Sequence, residues 1–223
     1  MSRTPTQIVL FVNGELPAPE RVRALLNEDD LLIAADGGLQ HIDQLGLTPH
    51  LVIGDLDSAD PAQIQELRAL GVEIRAFPAD KDETDFELAL NAALALAPMP
   101  IRVVAALGGR LDQTLANIFL LTRPDLAEHD IRLVDGQYEV FLIHTSAQID
   151  GEIGQRVSLL PFNGPVTGIY TEGLRYPLRN ETLYPEKTRG VSNQLDAPTA
   201  TITIESGLLL CIHETVNNSE RSG

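Results

Sequence analysis

Short apolar runs rich in β-branched residues recur through the first two-thirds of the chain, at 8–12, 31–35, 51–53, 72–77, 101–107 and 131–134. Each has the length of one strand. Between them the apolar spacing turns helical. In Ala62–Leu70, residues Ile64, Leu67 and Leu70 recur at three-residue steps and Gly71 follows where a helix stops. Asp60 or Ser58 before Pro61 supplies its N-cap. Thr84 and Glu87 stand in capping-box spacing, which predicts a helix through the apolar stretch that follows. A further helix is predicted after Arg110, with Leu111, Leu115, Ile118 and Phe119 as its buried stripe and Asp112 as its cap. Alternating strand and helix implies a mostly parallel sheet flanked by helices.

From Gln137 the pattern changes to strand-like pieces with turn signals: 138–144, 156–163, 166–173 and 200–213, the last reading as a hairpin around Glu205-Ser206-Gly207. The expected organisation is therefore an α/β domain over 1–136 and an all-β, sandwich-like domain over 137–223. The tail from Glu214 reads as frayed.

Composition narrows the function. The 32 acidic and 16 basic residues give a net charge of −16. That disfavours binding along the phosphate backbone of DNA or RNA, which needs clustered Lys and Arg. A small phosphorylated ligand stays possible if a cation or a few local donors bring positive charge. The single cysteine, Cys211, lies in an apolar run and suits a reducing compartment. The N-terminal apolar run is too short for a signal peptide or a membrane span, so a cytoplasmic protein is expected.

The polar residues of note sit where strands end. In a parallel α/β sheet, ligands bind outside the carboxyl ends of the strands. Asn13-Gly14 follows the first strand, Asp36-Gly37-Gly38 the second, Asp55 and Asp57 the third, Asp80-Lys81-Asp82 the fourth, and Gly108-Gly109-Arg110 the fifth. Asp55 and Asp57 are two residues apart, so they converge on one site only where the backbone bends, which Gly54 permits. Close carboxylates repel unless a divalent cation neutralises them, and magnesium takes one or two carboxylates with phosphate oxygens. Asp85 in a first helical turn is stabilising without any function, yet Lys81 beside Asp82 and Asp85 suits a phosphate and its metal. Glycines at 108 and 109 let phosphate approach backbone N–H groups, and Arg110 is placed to hold phosphate oxygens in a fork.

Neither a GxxxxGK[ST] loop nor a GxGxxG fingerprint is present. The five histidines show no zinc spacing, and no GxSxG occurs. Read from the residues alone, the chemistry is metal-assisted and acts on a phosphorylated ligand.

Five segments in order, ADGGLQHIDQLGLTPHLVIGDLDS (35–58), FPADKDETDFELAL (77–90), GGRLDQTLANI (108–118), GLRYPL (173–178) and GVSNQL (190–195), resemble the thiamine pyrophosphokinase family over nearly the whole chain. The resemblance implies transfer of diphosphate from ATP to thiamine, with magnesium, giving thiamine diphosphate and AMP. It implies an ATP-binding α/β domain, a β-sandwich-like thiamine-binding domain, and a homodimer with the thiamine site at its interface. By position, Asp55, Asp57, Asp82 and Asp85 match catalytic acids, the first three as metal ligands. Asp36 joins these four among the family acids around magnesium and the phosphates, and Asp36, Gly37, Gly38, Lys81, Thr84, Gly108, Gly109 and Arg110 match the ATP side. Asp112, Gln113, Tyr176, Ser192 and Asn193 match positions near thiamine. Two departures stand out: Gln113 replaces a His of many bacterial members, and Tyr176 replaces a Trp of some. The rivals are a diphosphokinase for another hydroxymethyl heterocycle, such as a pterin, and a noncatalytic module that senses a nucleotide or thiamine compound.

Overall fold

The computed structural model describes residues 5–57, 59–78, 80–96 and 98–216. Ser58, one of the two expected caps, and the tail beyond Val216 lie outside the described residues. The chain divides into two compact units, one ending at Gly136 and the other starting at Gln137.

The first unit runs β1 (Ile8–Phe11), α1 (Pro19–Ala24), β2 (Leu31–Ala35), α2 (Gly38–Gln44), β3 (Leu51–Gly54), α3 (Pro61–Ala69), β4 (Glu73–Ala76), α4 (Asp85–Leu96), β5 (Ile101–Val104), α5 (Leu111–Leu120) and β6 (Ile131–Val134). All of its strand pairs are parallel, in the order β4-β3-β2-β1-β5-β6. Strands β1 and β3 are buried at every position, as strands covered on both faces must be. Val9, Phe11, Ala34, Val52 and Val104 pack with Val22 of α1, Leu39 and Ile42 of α2, and Ile64 and Leu67 of α3. Ile8, Leu10, Ile33 and Ile53 point the other way and are equally buried, and α4 packs against β1, β2 and β3.

Asp60 caps α3 by accepting from the Ala62 N–H at 2.9 Å. Its replacement, Asp60→Ala, is expected to cost about 1 kcal/mol of stability, read as a lowered midpoint of urea unfolding with unchanged slope. Leu70, at the end of that helix, is exposed rather than buried. Thr84 Oγ1 accepts from the Glu87 N–H at 3.1 Å, so the capping-box spacing marks the true start of α4.

Helix α5 departs from its expected packing. None of its residues is fully buried, and Leu111, Leu115 and Phe119 are 71%, 46% and 52% exposed. Spacing fixes which residues share a helix face and leaves open what covers it. Asp112 does not cap α5 either; Arg110 holds the N-cap position without a side-chain bond, and Asp112 pairs with it instead.

The second unit contains β7 (Tyr138–Ile143), β8 (Ser146–Asp150), β9 (Arg156–Glu172), β10 (Arg179–Leu183), β11 (Asn193–Gln194), β12 (Thr199–Thr203) and β13 (Ser206–Glu214). Strand β9 was expected as two pieces and is one strand bent near Gly164 and Gly168. Its first half pairs with β13 and β11; its second half pairs with β12 and β10. Two sheets thus share β9 and enclose one core, in which Phe141, Ile149, Leu159, Ile169, Ile202 and Cys211 meet. The expected hairpin at Glu205-Ser206-Gly207 does not form, because β9 lies between β12 and β13. The turn bonds to β9 instead: the Glu205 N–H donates to Thr167 O at 3.0 Å. Glu214 is no frayed tail residue but ends β13, buried against Arg156 at 3.2 Å.

Among the described residues no helix is long and apolar enough to cross a membrane.

Candidate functional site

The order β4-β3-β2-β1-β5-β6 reverses between β1 and β5. At such a switch point the connections leave in opposite directions and open a crevice at the carboxyl ends of the strands. A cavity of about 300 Å³ lies there, lined by Asn13 and Gly14 after β1, Asp36 after β2, Ala105, Ala106 and Gly108 after β5, Thr84–Phe86 at the start of α4, and Gln113, Thr114 and Asn117 of α5. The first turns of α4 and α5 both border it, a geometry that favours anions.

Close backbone approach builds its floor. A Cβ on Gly14 would stand 2.1 Å from Ala105 O, and one on Gly38 2.0 Å from Phe11 O. Gly37 lies against the side chain of Asn13. His41 Nε2 donates to Gly14 O at 2.8 Å and ties the turn after β1 to α2. On the α5 side, Asn117 Nδ2 donates to Ala106 O at 2.9 Å and Thr114 Oγ1 to Gly108 O at 3.0 Å. Asn13, Thr114 and Asn117 line the cavity and His41 braces it, and none of them was expected there because nothing in their local spacing marks them. The sole sequence signal was the place of Asn13 at a strand end.

Carboxylate oxygens of Asp36, Asp55 and Asp57 lie within 4.8 Å of one another. The Asp36 N–H donates to Ile53 O at 2.7 Å, which carries the end of β2 against the end of β3. The expected bend that joins Asp55 to Asp57 falls on Leu56, at φ 59°, two residues after Gly54. Asp55 Oδ1 accepts the Asp57 N–H at 3.1 Å across that bend. Asp36 at φ 45° and Ala105 at φ 60° are also in the left-handed region. Three of the six such non-glycine residues among those described therefore lie one or two residues past the ends of β2, β3 and β5, and strain of this kind concentrates at functional sites.

Three like charges this close repel by about 1 kcal/mol per pair even in water. The donor set is wholly carboxylate, hard oxygen, and fits magnesium. Asp82 is exposed and is not one of these three acids. Asp85 lines the cavity and pairs with Lys81 at 3.0 Å, whose side chain is 12% exposed. Arg110 is exposed and held in a fork by Asp112, at 2.6 and 3.2 Å. The same hydrogen bonds raise the pKa of Arg110 and lower that of Asp112. Gly108 and Gly109 have left-handed backbones, and Glu15 lies against both.

In the second unit Tyr176 and Asn193 line a cavity of about 290 Å³ with Leu159, Leu178, Arg189 and Val191. Ser192, at φ 61°, is exposed beside it, and its N–H donates to Ser158 Oγ at 3.0 Å.

Residues 22–134 match the family model for the thiamin pyrophosphokinase catalytic domain, and 142–209 that for the thiamin pyrophosphokinase vitamin B1 binding domain. The chain belongs to the thiamine pyrophosphokinase family. Carrying both of the family's domains, it is an enzyme, a thiamine diphosphokinase. It is 29% identical over 191 residues to the thiamine pyrophosphokinase of Bacillus subtilis (strain 168), covering 85% of this chain and 89% of that one. With thiamine pyrophosphokinase 1 of Oryza sativa subsp. japonica it shares 28% identity, over 92% of this chain and 86% of the relative. The crystal structure of the B. subtilis enzyme superposes with a TM-score of 0.83 at 27% identity, covering 94% of this chain and 99% of that one. That of Geobacillus thermodenitrificans gives 0.81 at 27%, over 95% and 99%.

Proposed function

We propose that the enzyme transfers the terminal diphosphate of ATP to the hydroxyl of thiamine, giving thiamine diphosphate and AMP, with magnesium required. The observation that carries this reading is the three-carboxylate cluster of Asp36, Asp55 and Asp57 beside a switch-point cavity bordered by two helix N-termini. Asp36, Asp55 and Asp57 would hold the metal. A magnesium ion held there would supply positive charge against the charge that develops on the phosphates.

The chain's own groups do the rest. Lys81, paired with the cavity-lining Asp85, supplies a positive charge for the phosphates. Arg110 reaches the same phosphates once they displace Asp112 from its fork. Backbone N–H groups at the starts of α4 and α5 orient the chain of phosphates, and the thiamine hydroxyl attacks the β-phosphorus in line with the leaving AMP. Tyr176, Ser192 and the cavity of the second unit take the heterocycle. A homodimer in the cytoplasm completes the reading, which the family resemblance supports.

Purified protein incubated with ATP, magnesium and thiamine is expected to release AMP, and to release none when thiamine is omitted or the metal is chelated. AMP release with a hydroxymethyl pterin and not with thiamine would assign the other acceptor. Ligand binding without any AMP would leave a sensing module.

A further inference from the structure

An exposed aromatic ring is a poor recognition element unless its backbone is fixed, because ordering it on binding costs free energy. Tyr176 is 63% exposed, yet the backbone of the segment that carries it is bonded at each of residues 174–176. The side chain of Asn193, itself only 6% exposed, is spent entirely on that segment and its own strand. Asn193 Oδ1 accepts the Tyr176 N–H at 3.0 Å and the Gln194 N–H at 2.9 Å, while Nδ2 donates to Tyr176 O at 2.8 Å. Both backbone groups of Tyr176 are thus held by one amide.

The neighbours continue the pattern. The Arg175 N–H donates to Gln194 O at 2.9 Å, Arg175 Nη1 donates to Gln194 Oε1 at 3.0 Å, and Leu174 and Leu195 form an antiparallel bridge. Residues 193–195 therefore template 174–176 one for one. The guanidinium of Arg175 stands 5.9 Å from the centroid of the Tyr176 ring. The ring itself stays open to the cavity it lines together with Leu159 and Val191.

We infer that Asn193 is a positioning residue for the acceptor substrate: it does not touch the heterocycle, but fixes the backbone of Tyr176 so that the ring presents a rigid face to a planar heteroaromatic group. With three hydrogen bonds already made, its amide has no acceptor lone pair aimed at the cavity and at most one N–H to spare. This rests on the reading of the second unit's cavity as the thiamine side. Tyr176 then sets selectivity for aromatic acceptors, and Asn193 acts only through it.

A double-mutant cycle on the thiamine KM separates acting through Tyr176 from direct contact. Asn193→Ala and Tyr176→Ala are each expected to raise the thiamine KM by roughly tenfold, with kcat and the KM for ATP changed less than about twofold. The double variant is expected to match the single ones, near tenfold, instead of the roughly hundredfold of independent sites. A multiplicative double variant, or a thiamine KM unmoved by Asn193→Ala, overturns the inference. If Asn193→Ala fails to fold, Asn193→Asp serves in its place. It keeps the two accepted bonds and turns the third into a clash with Tyr176 O, so the same non-additive rise is expected and a multiplicative one is fatal. Wild-type protein that releases no AMP with thiamine removes the underlying reading as well, whereas an active wild type with an additive cycle removes this inference alone.

Discussion

Replacing Asp55 or Asp57 by Asn is expected to lower kcat/KM by about 10²-fold or more, a few kcal/mol of transition-state stabilisation, while the fold stays intact. The expectation follows from geometry: each acid is one of three whose oxygens lie within 4.8 Å, so removing either charge takes away a third of the negative charge that grips a divalent cation. The sign on stability is opposite. Without metal the three carboxylates repel, so either variant is expected to melt at the same temperature as the wild type or slightly above it. Steady-state kinetics and a metal-free thermal melt on the same samples check both halves. A variant that loses activity by losing Tm would place these acids in the scaffold rather than in the site.

Gly38→Ala is expected to cost about 3 kcal/mol of stability or more. The added Cβ would fall 2.0 Å from Phe11 O and 2.5 Å from Phe11 C, both backbone atoms of a strand buried at every position. Neither α2 nor β1 can yield without opening the floor of the cavity. Gly46→Ala makes the comparison: its φ is also left-handed, at 66°, but nothing lies within 4 Å, so only the conformational cost of about 1 kcal/mol remains. Urea unfolding of the two variants is expected to separate them clearly.

Local pattern carried much of the first unit. The β-branched runs became β1 to β6 because parallel strands covered on both faces need continuous apolar sequence, and Asp60 and Thr84 marked helix starts because side-chain caps are local chemistry. The order of the strands was hidden, since no short-range signal records which strand pairs with which. With it went the switch point and the cavity lined by Asn13 and Asn117. Asp55 and Asp57 were legible as a pair, but Asp36 joins them through the β2–β3 pairing, which is a long-range contact. The bend at Leu56 could not be read because a non-glycine residue in the left-handed region leaves no compositional trace. The apolar spacing of α5 was read correctly as a stripe and wrongly as a buried one, and the turn at Ser206-Gly207 was read as a hairpin where the chain crosses between sheets.

Phosphorus NMR of the wild-type protein with ATP, magnesium and thiamine tests the proposed reaction most directly, because it sees which phosphorus is attacked. Attack on the β-phosphorus predicts that AMP and thiamine diphosphate grow at equal rates while ATP falls. ADP with thiamine monophosphate, or ATP unchanged in a folded protein, would contradict it.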